Sequence, residues 1–92
     1  MPERIQRKRT KGWRMPANTV YVGRPTVWGN PFHVGKQGAA AECVRAYEQW
    51  LMTQMPQLLL DIRQELRGKN LCCWCPLDQP CHADVLLRIA NE

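Results

Sequence analysis

A chain of 92 residues with 45% hydrophobic content suits one compact domain and excludes wholesale disorder. The net charge of +5 is unevenly placed: Arg4, Arg7, Lys8, Arg9, Lys11 and Arg14 face only Glu3 in the first fourteen residues, leaving seven basic and seven acidic residues elsewhere. No apolar run is long enough to span a bilayer, the basic start lacks the form of a signal peptide, and five cysteines, an odd number, argue against a disulfide scaffold.

Residues 1–18 read as a basic arm, which charge, Gly12 and Pro16 keep from being a regular core element. Thr19 to Gly23 (TVYVG) reads as a strand with Val20 and Val22 on one face and Tyr21 on the other. Arg24 to Gln37 holds Pro25, Gly29, Pro31 and Gly35 and reads as a loop, long enough to point to function. Ala39 to Met55 reads as a helix with Cys43, Val44, Tyr47, Trp50 and Leu51 in its apolar stripe. Pro56 suits the first turn of a second helix, whose buried stripe is Leu59, Ile62 and Leu66 with Leu58 alongside. Gly68 suits its left-handed C-cap.

Asn70 to Cys75 (NLCCWC) reads as a buried central strand parallel to the first. Pro76 to Pro80 reads as a turn. The last helix runs from Cys81 or His82 to Ala90, with Val85, Leu86 and Ile89 inward. Strands separated by helices specify an α/β fold: a small parallel sheet of two or three strands and about three helices, forming one domain over residues 19–92. A third strand from the arm, or a homodimer partner, would complete so small a sheet.

In a strand, Cys73 and Cys75 share one face, and Cys75 sits at the carboxyl end, where open parallel sheets bind ligands. Cys81 and His82 begin the next helix, whose N-terminus lowers thiol pKa and attracts anions. Cys75, Cys81, His82 and Asp84 thus converge on one expected pocket, and three readings of it stay open. A thiolate beside a histidine can act as nucleophile or base. Cys73, Cys75, Cys81 and His82, spaced C-x-C-x5-C-H, can instead ligate zinc, with His33 as a distant fourth ligand. Buried cysteines can also simply pack, the reading preferred for Cys43 and Cys72.

The loop after the first strand would lie at the same sheet edge. There Arg24 can clamp a phosphate or carboxylate, Trp28 and Phe32 can stack a base or sugar, and Asn30 can bond a base edge. The alternative is a tightly packed loop with Trp28 and Phe32 as lids on the core. In the arm, Arg7, Lys8, Arg9, Lys11 and Arg14 can track nucleic-acid phosphates while Trp13 stacks on a base. Its alternative role is a solvated tail.

Three blocks of the chain resemble a family of short phage and bacterial proteins, domain of unknown function 4326: Arg9 to Pro16 (RTKGWRMP), Val20 to Phe32 (VYVGRPTVWGNPF), and Leu66 to Leu86 (LRGKNLCCWCPLDQPCHADVL). The resemblance points to Arg24, Trp28, Asn30 and Phe32, and to Cys73, Cys75, Cys81, His82 and Asp84. The family commonly has alanine at the position of Cys72, in keeping with a packing role. The tail is also similar, more loosely, to an uncharacterised family whose helix begins Cys-His-Arg; Ala83 stands here in place of that arginine. Neither resemblance carries a reaction.

The leading expectation is a small cytoplasmic protein of phage or prophage type, located in the host cytoplasm if phage-encoded. It would bind a nucleotide or similar anionic ligand between the Arg24–Phe32 loop and the Cys75–His82 turn. The alternatives are a zinc-stabilised nucleic-acid-binding module without catalysis and a phage adaptor for a host protein. No membrane partner is expected.

Overall fold

The computed structural model describes residues 2–24, 26–32 and 39–92. Strands β1 (Arg4–Gln6), β2 (Thr19–Tyr21) and β3 (Asn70–Cys73) form one parallel sheet in the order β1-β3-β2. The expected central strand is central, and the third strand is drawn from the arm. Ile5 and Tyr21 both stand opposite Cys72. Backbone bonds carry the pairing past the strand ends, from the Arg7 N–H to the Cys73 carbonyl (2.7 Å) and from the Val22 N–H to the Cys72 carbonyl (2.8 Å). Both strands stop short of their expected ends, at Tyr21 and Cys73 rather than Gly23 and Cys75. The chain turns at Gly23, and among the described residues no strand pairs with Trp74 or Cys75.

Helices α1 (Ala40–Gln54), α2 (Pro56–Leu66) and α3 (His82–Asn91) cover the sheet face that bears Leu71 and Cys73. Tyr47, Leu51, Ile62, Leu66, Leu86 and Ile89 are fully buried against it with Val22. Proline lacks the N–H that a first helical turn leaves unpaired, so Pro56 opens α2 directly after Met55, the last residue before it. The buried row of α2 is Leu58, Ile62 and Leu66, with Leu59 only partly covered. The difference from the expected row is a rotation of about one residue, because α2 packs chiefly on α3.

Gly68, at φ +77°, takes the left-handed position after α2. Its N–H donates to Asn91 Oδ1 (3.1 Å) and its carbonyl accepts from Asn18 Nδ2 (2.9 Å), tying the ends of α2 and α3 to the entry of β2. The opposite sheet face presents Ile5, Cys72 and Tyr21 in one row. Among the described residues, no helix is long and apolar enough to cross a membrane.

Candidate functional site

The carboxyl ends of β2 and β3 lie side by side, so the segments that leave them share one edge of the sheet. After β2 the chain closes two turns, from the Thr26 N–H to the Gly23 carbonyl and from the Gly29 N–H to the Thr26 carbonyl, each 3.0 Å. Gly23 makes room there: a Cβ would fall on the Tyr21 phenol, whose hydroxyl donates to the Arg24 carbonyl (3.0 Å), and would force that ring to shift.

Asn30 is buried and both ends of its amide are engaged. Nδ2 donates to the Cys43 carbonyl of α1 (3.3 Å), and Oδ1 accepts from the Phe32 N–H (2.9 Å). Arg24 Nε donates to the Asn30 carbonyl (2.9 Å). Trp28 lies in the core, its carbonyl accepting from the Tyr47 hydroxyl (2.7 Å). Burial and the proximity of Cys81 push the Tyr47 phenol well above its ordinary pKa, so it stays a donor. Of the four expected ligand contacts, Arg24, Asn30 and Phe32 line a cavity of about 280 Å³ and Trp28 does not. His33 lies outside the described residues.

Across the cavity stand Cys73, Cys75, Cys81 and His82. Cys73 closes β3, Cys75 follows the exit from the strand, and Cys81 precedes the first residue of α3. Their sulfurs lie within 4.8 Å of one another, with Cys73 and Cys81 Sγ 2.9 Å apart. Cys73 and Cys81 are buried, whereas Cys75 is partly exposed.

Such a cluster favours one negative charge and opposes a second. Thiol hydrogen bonds from Cys73 and Cys81, aided by the nearby Arg4 guanidinium, draw Cys75 down to about 2. The same sharing pushes Cys73 far up and, with burial, moves Cys81 up to about 11. The cluster is therefore one thiolate held by two thiols.

His82 is buried with Nε2 2.7 Å from the Val22 carbonyl. A carbonyl only accepts, so Nε2 carries the proton and Nδ1 is left as the acceptor, 3.6 Å from Cys81 Sγ. Burial lowers the imidazole pKa and keeps it neutral. Asp84 does not line the cavity. It accepts from the Cys81 N–H (3.3 Å) and from Arg4 Nη1 (3.1 Å), and so positions the start of α3.

Arg4 is the site residue that sequence reasoning missed. Its side chain, 8% exposed, also donates to the Pro76 carbonyl (3.1 Å) and the Leu77 carbonyl (2.7 Å). It fastens β1 to the turn between Cys75 and Cys81. The only sequence signal was its membership of a basic run.

Other arm residues lie at the cavity's rim or beyond it. Arg7 sits over the rings of Tyr21 (4.7 Å) and Trp74 (5.1 Å), and Arg9 over Trp74 (4.8 Å). Tyr21 and Trp74 line the cavity themselves. Lys8, Lys11 and Arg14 are exposed and Trp13 is half-buried.

The three thiols can hold a metal ion. Thiolates suit soft or borderline ions such as zinc, at sulfur distances of about 2.3 Å. The set supplies three ligands and His82 is not among them.

The chain belongs to the family described as domain of unknown function (DUF4326), whose profile matches residues 5–92. No match was found among curated proteins or among solved structures.

Proposed function

We propose that this member of the family binds a nucleotide-class anionic ligand in the cavity and acts on it through the Cys75 thiolate. The observation that carries the reading is the cluster of three sulfurs at the cavity wall, in which Cys75 is the partly exposed one and has the thiols of Cys73 and Cys81 within 4.8 Å to stabilise its thiolate. Cys75 attacks an electrophilic carbon of the ligand. The bond to the leaving group breaks with its electron pair, and that group takes the proton of the Cys81 thiol. The Cys81 thiolate so formed regains its proton from water, and His82 Nδ1, facing Cys81, accepts a hydrogen bond from the restored thiol. Arg24 supplies positive charge at the opposite rim, and Asn30 holds the loop that carries it.

Thermal-shift measurements with nucleoside mono- and diphosphates test binding, and ligand protection of Cys75 from iodoacetamide tests the location. A ligand that raises Tm and slows alkylation supports the proposal; the absence of both for every nucleotide class removes it.

A second reading is favoured by the three sulfurs within 4.8 Å: a zinc-stabilised module in which Cys73, Cys75 and Cys81 hold the ion and the arm contacts nucleic acid. One tightly held zinc per purified chain, with unfolding on chelation and five thiols that resist alkylation until then, establishes this reading and removes the nucleophile. A folded protein without metal removes the zinc.

A further inference from the structure

We infer that the ligand reaches the cavity as part of a single-stranded nucleic acid. One base enters the cavity, its neighbour stacks on Trp74, and the phosphates follow the basic segment 7–14. The inference rests on the nucleotide reading above and specifies its substrate class.

Small-molecule sites run from roughly 300 to 1,000 Å³, and this cavity, at about 280 Å³, has room for one nucleotide unit at most, so the rest of a strand would lie outside it. The residues beside the cavity suit such a strand. Tyr21 and Trp74 line the cavity, and Trp74 remains 40% exposed where Trp28 is only 8% exposed. Two guanidinium groups, of Arg7 and Arg9, lie over these rings. Aromatic rings interleaved with arginine form a surface on which bases stack irrespective of sequence.

Charge points the same way. Between Glu3 and Glu42 the chain has no carboxylate, while Arg7, Lys8, Arg9, Lys11 and Arg14 are concentrated in eight residues. Arg4 is used internally, but these five belong to the segment that passes the stacked rings. A polyanion complements this segment, and a cavity of this size beside an exposed tryptophan selects nucleic acid over an acidic protein or a lipid surface. A duplex keeps its bases stacked and paired, so a strand with free bases is the form that fits.

The test is fluorescence anisotropy with a labelled oligothymidine of about twelve nucleotides and a duplex of equal length, from about 50 to about 200 mM salt. The full-length protein is expected to bind the single strand at least about tenfold more tightly than the duplex. Trp74→Ala is expected to weaken it about tenfold, with Trp74→Phe recovering most of the loss. Arg7→Ala with Arg9→Ala should lower the salt slope by about 0.7 per arginine. Circular dichroism confirms that each variant is folded.

No single-strand binding at low salt overturns the inference, as does equal duplex binding that Trp74→Ala leaves unchanged. If mononucleotides raise Tm and protect Cys75 while the oligonucleotide binds no more tightly, the inference fails and the cavity reading stands. If the oligonucleotide binds through Trp74 without slowing Cys75 alkylation, the base is not in the cavity and the inference fails in that form.

Discussion

His82 and Cys75 show how neighbouring groups divide a chemical task. The Val22 carbonyl fixes the imidazole tautomer, so its remaining nitrogen faces a thiol as an acceptor. The thiols in turn place one negative charge on Cys75, the most accessible of the three. In metal-free native protein, iodoacetamide followed by peptide mass mapping should label Cys75 first, and should do so well below pH 8.5, about the ordinary thiol pKa.

Stability should follow the same charges. The Cys75 pKa is lowered on folding, so below about pH 8.5 the unfolded chain binds the extra proton and stability rises with pH. That contribution disappears as pH falls toward about 2. Cys73 and Cys81 are raised, so above about pH 8.5 the unfolded chain ionises first and stability declines. Urea midpoints measured across pH should therefore peak near the ordinary thiol pKa. A Cys73→Ala, Cys81→Ala variant should show a weaker alkaline decline, keeping the part that Cys72 and Tyr47 contribute. The cysteine spacing made this group legible in the sequence, but the division of charge was not. It depends on which thiols donate to which sulfur, a property of the turn geometry.

At the level of elements, the site is assembled by two clamps. Arg4 reaches from β1 to two turn carbonyls and Asp84. Arg4→Ala leaves those acceptors unpaired and is expected to cost about 2 kcal/mol in urea unfolding, a value reduced by the exposure of Asp84. It should also slow alkylation of Cys75 at low pH by removing a nearby cation. Gly23 is the second clamp, since its missing side chain admits the Tyr21 phenol. Gly23→Ala should cost about 1–3 kcal/mol by overpacking and open the loop that carries Arg24, read as a lowered Tm.

Periodicity made the central strand and the three helices legible. It did not reveal β1, because three residues inside a charged run carry no pattern, nor the Arg4 clamp, which depends on a contact across 80 positions. Trp28 and Phe32 look alike in sequence, yet one enters the core and the other the cavity wall. The difference goes with backbone contacts that the sequence does not display, such as the bond from the Tyr47 hydroxyl to the Trp28 carbonyl.

At the scale of the molecule, the basic segment has two parts with different duties. Arg4–Gln6 completes the sheet, and the stretch beyond it lies beside the exposed rings. Removing residues 1–18 is therefore expected to unfold the protein rather than only weaken a charged partner's binding. Cooperative thermal unfolding of a chain starting at Thr19, at an unchanged Tm, would contradict this. Point substitutions at Arg7 and Arg9 should leave Tm nearly unchanged.

The position of β3 at the centre of the sheet, late in the chain, also sets the order in which the protein can form during synthesis. Both flanking strands are made early, and β1 has no adjacent partner until residues 70–73 arrive. The cavity walls, the thiol cluster and the Arg4 clamp must therefore appear together, after most of the chain has left the ribosome. High separation between paired strands slows such a step. Until it occurs, α1 and α2 have no sheet to cover and the cysteines stand apart, so the three-sulfur cluster arises only with the finished fold.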